Sequence, residues 1–580
     1  MEATGYRLIA DEGELREAAA RVSAAEYVGL DVETTALSPL DGRLRLLQLA
    51  TPGGTFVVDL FGVGSLEPLR GVLEGGPVKV AHNSKFEYSF LKHECGIAVS
   101  PIFDTMLTSQ LIAGGERGLS HSLEEVVRRY LGRELDKTVR AEDWSGDLSR
   151  RQLEYAARDA AVLLPLHGKL RRVLREEKLE YVARIEFAAV PSLAEMELAG
   201  IRLDRRRWRE LERVVRERRD RVARELEAQL PQPEGVLPLE GLGPGINLNS
   251  PGQVIEAFRA LGLDLPDTRE WTLMRVDHPA AKLLLEYREL QKKLGTYLET
   301  YPDYIHPGTG RIHASFAQCR VPTGRLACSH PNIQQIPHED EFRSCFVAGE
   351  GYLFVIADYS QIELRILAEV SGDEGFVRAF RQGEDLHRVT AATMFGVPME
   401  EVTGEQRSAA KRINFGLAYG RGAQSLSAQL GTDEERAREL IDEYFASYPK
   451  VQRYLQGAAE KALRQRTLRT LSGRVRKFGD TSGLDRKARS ALRREAMNFP
   501  IQGSSADIAK LAMIHMRREL EGLDARLVNS IHDEFVVECR EEIAGEVAER
   551  VRRSMLRAGE TLLRRVPVEV EVAISPEWRK

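Results

Sequence analysis

Two acids standing inside an apolar run constrain this chain more than any other feature. Residues 527–539 read LVNSIHDEFVVEC: apolar residues lead up to Ile531 and resume at Phe535, with His532, Asp533 and Glu534 between them. A strand tolerates adjacent acids only where the chain turns, so the pattern predicts a hairpin with Asp533 at its tip. A second apolar strand, in GYLFVIADYSQIELRIL, runs into Asp358. If the two strands are neighbours, two carboxylates converge, and such a pair calls for a cation. Each acid alone would read as an ordinary turn residue.

The stretch TGEQRSAAKRINFGLAYGRG adds a partner for that pair. Thr403 and Gln406 form a capping-box pattern, and Gly420 closes a predicted helix. Inside it Arg407, Lys411, Phe415 and Tyr419 recur every four residues, which makes one slowly drifting stripe, basic first and aromatic second. A triphosphate against the basic half and a base stacked on the aromatic half fit that stripe. On the helix alone, a surface helix with core aromatics fits as well.

Nearer the start, YVGLDVETT places Asp31 and Glu33 on one face at the end of a strand. AHNSKFEYSFL offers Glu87, and LEYAARDAA offers Tyr155 and Asp159 one helical turn apart. Carboxylates gathered from separate segments suit a hard divalent ion. Asp104, in FDTML, is an alternative third acid.

The rest of the chain bounds these readings. At 580 residues, 43% hydrophobic and 29% charged, it suits a soluble protein of several domains. No apolar run approaches the roughly 18 residues of a membrane helix, and the N-terminus, MEATGYRLIADEGE, is acidic and lacks the apolar stretch expected of a signal peptide. Five scattered cysteines without a CxxC pair suit a reduced, cytoplasmic protein. The net charge of −5 does not announce a nucleic acid, but residues 461–495 carry 12 Lys and Arg against 3 acids, a candidate phosphate-facing surface. The first 175 residues or so alternate strand and helix patterns, with YVGLDVE, LRLLQLA and TFVVDL as three successive strands, which reads as α/β. Two long charged helical patterns flank an irregular tip at 231–253 and suggest an arm.

Taken together, DVETT, HNSKFE and YAARD resemble the DEDD-type 3′–5′ exonucleases of the tyrosine subclass. DYSQIE, R-x₃-K-x₃-F-x₃-YG and HDE, in that order, resemble motifs A, B and C of the family A DNA polymerases, and TGRLACSHPNIQQIP, GEDLHRVTAATMFG and MNFPIQGSSADI extend the resemblance over nearly the whole chain. It implies a ribonuclease H-like α/β exonuclease domain (1–178) followed by an α+β right-hand polymerase domain (179–580). The thumb would span about 190–301, the palm about 302–370 and 500–580, and the fingers about 371–499. The 5′-nuclease domain usual at the start is expected to be absent.

The resemblance also assigns roles. Asp358, Asp533 and the Tyr359 carbonyl would hold two Mg²⁺ ions, and Asp31, Glu33, Glu87 and Asp159 two more, with Mn²⁺ able to substitute. Lys411 would donate a proton to the leaving pyrophosphate, Glu534 would add charge beside the metals, and Tyr155 would orient the attacking water. Arg407, Lys411, Phe415, Tyr419, His387 and Gln361 would bind the nucleotide, and Glu363 would exclude a ribose 2′-OH. Arg325, Asn332, Gln335, Arg494, Asn498, Gln502 and His532 would contact the primer–template. The chain departs from the pattern at Glu87, where Asp is usual, and at Gln424, where an aromatic residue is common. An added methylene shifts the Glu87 oxygens by about 1 Å, enough to cost on the order of 10²-fold in rate. The expected partners are primer–template DNA and dNTPs, with no membrane, and the expected form is a monomer in a bacterial or phage-infected cytoplasm. Two other readings remain: a single-subunit RNA polymerase, against which Glu363 and the exonuclease motifs stand, and a catalytically dead nucleic-acid binder, against which the intact Asp358, Asp533, Lys411 and Arg407 stand.

Overall fold

The computed structural model describes residues 5–135, 142–231 and 246–579. The N-terminal unit is built on β1 (Tyr6–Ile9), β2 (Tyr27–Thr34), β3 (Leu44–Thr51), β4 (Gly54–Asp59), β5 (Val78–Ala81) and β6 (Ile102–Asp104). These form one sheet in the order β1-β4-β3-β2-β5-β6, with β3 antiparallel to both neighbours and the remaining pairs parallel. The three strands read from sequence are β2, β3 and β4; the short β5 and β6 went unread because three or four residues carry little periodicity. Helix α1 (Lys85–Cys95) begins just beyond β5, and α2 (Arg150–Glu176) lies across β2, β3 and β4. The approach of α2 is close: a Cβ on Gly29 of β2 would come within 2.3 Å of the Ala160 carbonyl. Only glycine lets the helix bring its inner face onto the sheet there.

Helix α3 (Glu180–Ala199) follows after Glu177, Lys178 and Leu179 alone. It packs between the N-terminal unit and helices and strands of the C-terminal part. Its Glu186, fully buried, meets Arg474, Lys510 (Nζ–Oε1 2.6 Å) and the Gln318 amide (2.9 Å). Arg474 also binds Asp507 (2.6 Å). Burial alone would raise the Glu186 carboxyl; Lys510 and Arg474 hold it below its ordinary range. Helix α4 (Arg205–Gln229) packs on α5 (Pro279–Lys293) to form a long arm. Trp208 anchors its base, stacked on Tyr301 at 5.7 Å with its Nε1–H on the Leu298 carbonyl (3.0 Å). Most of the irregular tip falls at 232–245, outside the described residues.

The C-terminal part contains β7 (Tyr352–Tyr359), α6 (Ile362–Ser371), α7 (Leu386–Phe395), α8 (Gly404–Ala418), α9 (Arg486–Glu519), β8 (Ala525–Ile531), β9 (Glu534–Arg540), α10 (Ala544–Leu562) and β10 (Val570–Ser575). The four strands form an antiparallel sheet in the order β8-β9-β7-β10, with α10 packed against it. Thr403 and Gln406 close the capping box that starts α8. Much of the basic stretch 461–495 is exposed, but Arg474 and Arg476 are not part of that surface. Arg474 serves the buried network, and Arg476 donates to the carbonyls of Gly114 (3.1 Å) and Gly115 (2.7 Å) in the N-terminal unit. Among the described residues no helix is long and apolar enough to cross a membrane.

Two candidate active sites

The N-terminal site forms where β2, α1 and α2 meet. Asp31 and Glu33 share one face of β2, Glu87 sits in the first turn of α1, and Tyr155 and Asp159 sit one turn apart on α2. All five line one cleft of about 630 Å³. Glu87 is buried, and its Oε2 has no hydrogen-bond partner. Burial, followed by the charges of Asp31, Asp104 and Glu33, pushes its carboxyl well above the ordinary range. Burial and Asp159 likewise raise the Tyr155 hydroxyl.

Asp104, the alternative third acid, does not line this cleft. Its carboxylate caps the helix Thr105–Ala113 and accepts from Leu107 N (2.9 Å), Ser84 N (2.6 Å) and Ser84 Oγ (2.7 Å). Among the described residues no Lys or Arg lines the cleft; its remaining titratable groups are Glu124, Glu142, His82 and His121. An orphaned, buried carboxylate oxygen among hard oxygen donors fits a divalent metal. Sequence reasoning missed the loop 34–43 at the cleft's rim, from which Leu37 stands 88% exposed.

The second site lies at the end of the four-stranded sheet. His532 and Asp533 turn the chain between β8 and β9, with His532 in the left-handed region (φ 55°). The Tyr359 N–H donates to the Asp533 carbonyl (3.4 Å), which ties the turn to the end of β7. Asp358 of β7 stands opposite Glu534 on β9 and Glu571 on β10. Asp358 and Asp533 face a common pocket of about 520 Å³. Burial, then the Asp358 charge, pushes the Asp533 carboxyl up to about 7. The Tyr359 ring points away and donates its hydroxyl to the Met555 carbonyl (2.7 Å), which leaves its main chain for the pocket.

Helix α8 forms the opposite wall, with Arg407, Lys411, Phe415 and Tyr419 all lining the pocket. Phe415 and Tyr419 stack at 6.5 Å with 19° between planes, and His387 of α7 lies 5.6 Å from Phe415. Burial lowers His387 to about 4. Asn414 Nδ2 donates to its Nδ1 (3.0 Å), so the neutral ring carries its proton on Nε2. Arg407 pairs with Asp385 (2.5 Å), a partner that sequence reasoning missed, while Lys411 is exposed. At the floor, Glu363 accepts from both Arg325 and the Tyr419 hydroxyl. His532 joins the same pocket; burial, followed by Arg325 and His338, lowers it to about 4.

Glu534 stands beside Asp533 and opposite Asp358 on the sheet. Its carboxylate accepts from Arg343 Nη1 (3.2 and 3.3 Å) and from the Trp578 indole (2.9 Å), and it does not line the pocket. Glu571, unread from sequence, lines it instead; the alternation EVEV at 569–572 was its only signal. Asn332, Gln335, Arg494, Asn498 and Gln502 lie outside the pocket. Gln335 and Arg494 are exposed. Gly503 lets α9, which carries Asn498 and Gln502, approach the loop before Arg325: a Cβ there would lie 3.3 Å from the Thr323 carbonyl. Gln361, Asn332 and Asn498 each hold a buried side-chain oxygen without a partner. Such groups cost stability until something donates to them.

Among the described residues no three carboxylate, imidazole or thiolate groups form a closed metal cage. Open sites that borrow oxygens from water and phosphate are the habit of Mg²⁺-type ions. The two carboxylates of the second site fit that habit.

Comparison with known proteins agrees over the full length. The chain matches the family model for DNA polymerase family A over residues 217–580 and that for a 3′–5′ exonuclease over residues 6–175. It is 36% identical to DNA polymerase I of Aquifex aeolicus, covering 99% of this chain and 100% of that protein. It is 34% identical to DNA polymerase I of Pseudomonas aeruginosa, of which it spans 66%, and 38% identical to the thermostable DNA polymerase I of Thermus aquaticus, of which it spans 56%. A solved structure of the POL domain of Pol1 from M. smegmatis, in complex with DNA primer-template and dNTP, superposes with a TM-score of 0.85 at 30% identity, covering 99% of each chain. The chain therefore belongs to DNA polymerase family A and carries a 3′–5′ exonuclease domain ahead of its polymerase domain.

Proposed function

We propose that this protein extends a primer 3′ end with dNTPs on a DNA template at its C-terminal site and trims 3′ ends at its N-terminal site, in replication or repair. One observation carries the reading: Asp358 and Asp533 share a pocket with the basic and aromatic stripe of α8. The M. smegmatis neighbour, a complex with primer-template and dNTP, supports the choice of substrates.

The domains of this family are metal-dependent. We assign two Mg²⁺ ions to Asp358, Asp533 and the Tyr359 carbonyl, and two to Asp31, Glu33, Glu87 and Asp159, with Mn²⁺ able to substitute. When bound, such ions neutralise phosphate charge and activate the attacking hydroxyl or water. The chain's own groups do the rest. Arg407, Lys411 and the Nε2–H of His387 bind the triphosphate, and Lys411 protonates the departing pyrophosphate. Phe415 and Tyr419 stack on the base. Glu363, fixed by Arg325 and Tyr419, occupies the space of a ribose 2′-OH. Gln361 offers its open side-chain oxygen to the nucleotide. The open oxygens of Asn332 and Asn498, with Gln335, Arg494, Gln502, Arg325 and His532, meet the primer–template. In the other cleft Tyr155 orients the water that cleaves the last phosphodiester.

The test is a 5′-labelled recessed primer on a longer template with Mg²⁺, with and without the four dNTPs. Lengthening with dNTPs and shortening without them support both assignments. Lengthening alone would leave the polymerase reading and remove the exonuclease one. No change in either lane would overturn both.

A further inference from the structure

A side chain of the polymerase domain, His306, meets the loop at the rim of the exonuclease cleft. The loop 34–43 at its rim is internally tied: Thr34 Oγ1 donates to the Ala36 carbonyl (2.7 Å), Thr35 N to the Arg43 carbonyl (3.0 Å), and Gly42 N to the Ser38 carbonyl (2.9 Å). Gly42 presses so closely on Ala36 that an added Cβ would come within 2.6 Å of it. A loop bonded this way moves as one piece. Thr34, Thr35, Ala36 and Leu37 line the cleft, and Asp41 sits at the far end of the loop.

Asp41 Oδ1 meets His306 Nε2 at 3.1 Å. His306 belongs to the turn 306–313, whose backbone closes with His306 N on the Arg311 carbonyl (2.9 Å) and Gly310 N on the His306 carbonyl (2.8 Å). Thr309 N donates to His306 Nδ1 (3.2 Å), so the neutral ring carries its proton on Nε2, aimed at Asp41. The contact therefore needs no protonation of His306. The turn is itself anchored: His313 Nδ1 lies 2.8 Å from the Glu197 carbonyl of α3, and its Nε2 lies 2.7 Å from Thr309 Oγ1.

We propose that His306 is a positioning residue for the exonuclease cleft, holding the 34–43 loop through Asp41 in the place where a single strand is gripped. This rests on the exonuclease reading above. Strand affinity in one domain thus depends on a side chain of the other. The His306 side chain is 19% exposed and Asp41 59%, so the effect is modest, about two- to five-fold in KM, as for other partly exposed pairs. The carboxylates that perform the chemistry are untouched, so kcat stays.

The test compares wild type with His306→Ala, Asp41→Ala, Asp41→Asn and the double alanine variant. Trimming of a 5′-labelled single strand in Mg²⁺ without dNTPs gives kcat and KM. Primer extension with dNTPs reports that each variant is folded. The dissociation constant of a dye-labelled single strand is measured in parallel, each change being introduced into an Asp31→Ala background. The expected result is a raised KM and dissociation constant in both alanine variants at unchanged kcat. Asp41→Asn, which keeps the acceptor, stays near wild type, and the double variant is no worse than either single one. Unchanged strand affinity in His306→Ala, or additive losses in the double variant, would overturn the proposal. If wild type trims nothing, the exonuclease reading fails, and the dissociation constants still decide the role of His306.

Discussion

The two clefts solve one problem in opposite ways. Each gathers carboxylates from separate segments, but among the described lining residues only one cleft carries Lys or Arg. The polymerase pocket sets Arg325, Arg407 and Lys411 around Asp358, Asp533, Glu363 and Glu571. The exonuclease cleft has Asp31, Glu33, Glu87 and Asp159 with no Lys or Arg among the described residues lining it. The first can greet an anionic nucleotide before any metal arrives. In the second, Glu87 is buried with an open oxygen, and burial and the neighbouring acids hold its carboxyl well above the ordinary range, so it is the group that gains most from a bound cation.

The sharpest way to break this comparison is to remove one carboxylate from each site. Asp358→Ala is expected to lower extension on the order of 10³-fold or more while leaving trimming intact, and Asp31→Ala to do the reverse. Primer-length assays read both; loss of both activities in either variant would mean the sites are not separate. Next comes Glu87→Asp. Shortening the side chain to the family's usual length is expected to raise the trimming rate, by up to about 10²-fold, with extension unchanged. A slower enzyme would show that this cleft is shaped around the longer acid.

The smallest effect is on stability. In metal-free protein Asp533 is raised to about 7 from an ordinary value of 3.8. A carboxyl raised by folding gives its full contribution below its unfolded value and loses it as pH climbs through about 7. Metal-free protein therefore loses stability between those limits, and Mg²⁺ restores it by taking the place of the proton. The Mg²⁺-induced rise in Tm is expected to be larger at pH 8 than at pH 5, by about 2–4 °C, and the difference to shrink in Asp533→Asn. Equal rises at both pH values would contradict the burial argument.

Sequence gave up what is periodic or local and withheld what is distant. The stripe on α8 was legible because four-residue spacing survives as a helix face, and the acid-tipped hairpin because an apolar run interrupted by acids has few foldings. Choosing Glu87 over Asp104 needed to know that Asp104 spends its oxygens on Ser84 and Leu107. The partners of Glu534 were not legible because they lie far along the chain at Arg343 and Trp578. Arg474 and Arg476 read as surface charge because nothing local announces that Glu186, Asp507 and the carbonyls of Gly114 and Gly115 wait for them. α3 and α4 read as one charged helical stretch because helical periodicity does not show which part is packed between two domains.

That strut has a kinetic consequence. Three residues separate α2 from α3, and Glu186 of α3 is locked in a dry cage with Arg474 and Lys510. A junction this short and this buried works against a swing of one cleft toward the other. On the proposed function, the clock of error correction then resides in the nucleic acid: the end must fray and travel before it can be trimmed. A mispaired end frays sooner than a paired one, and so it nominates itself for removal while the protein stands still.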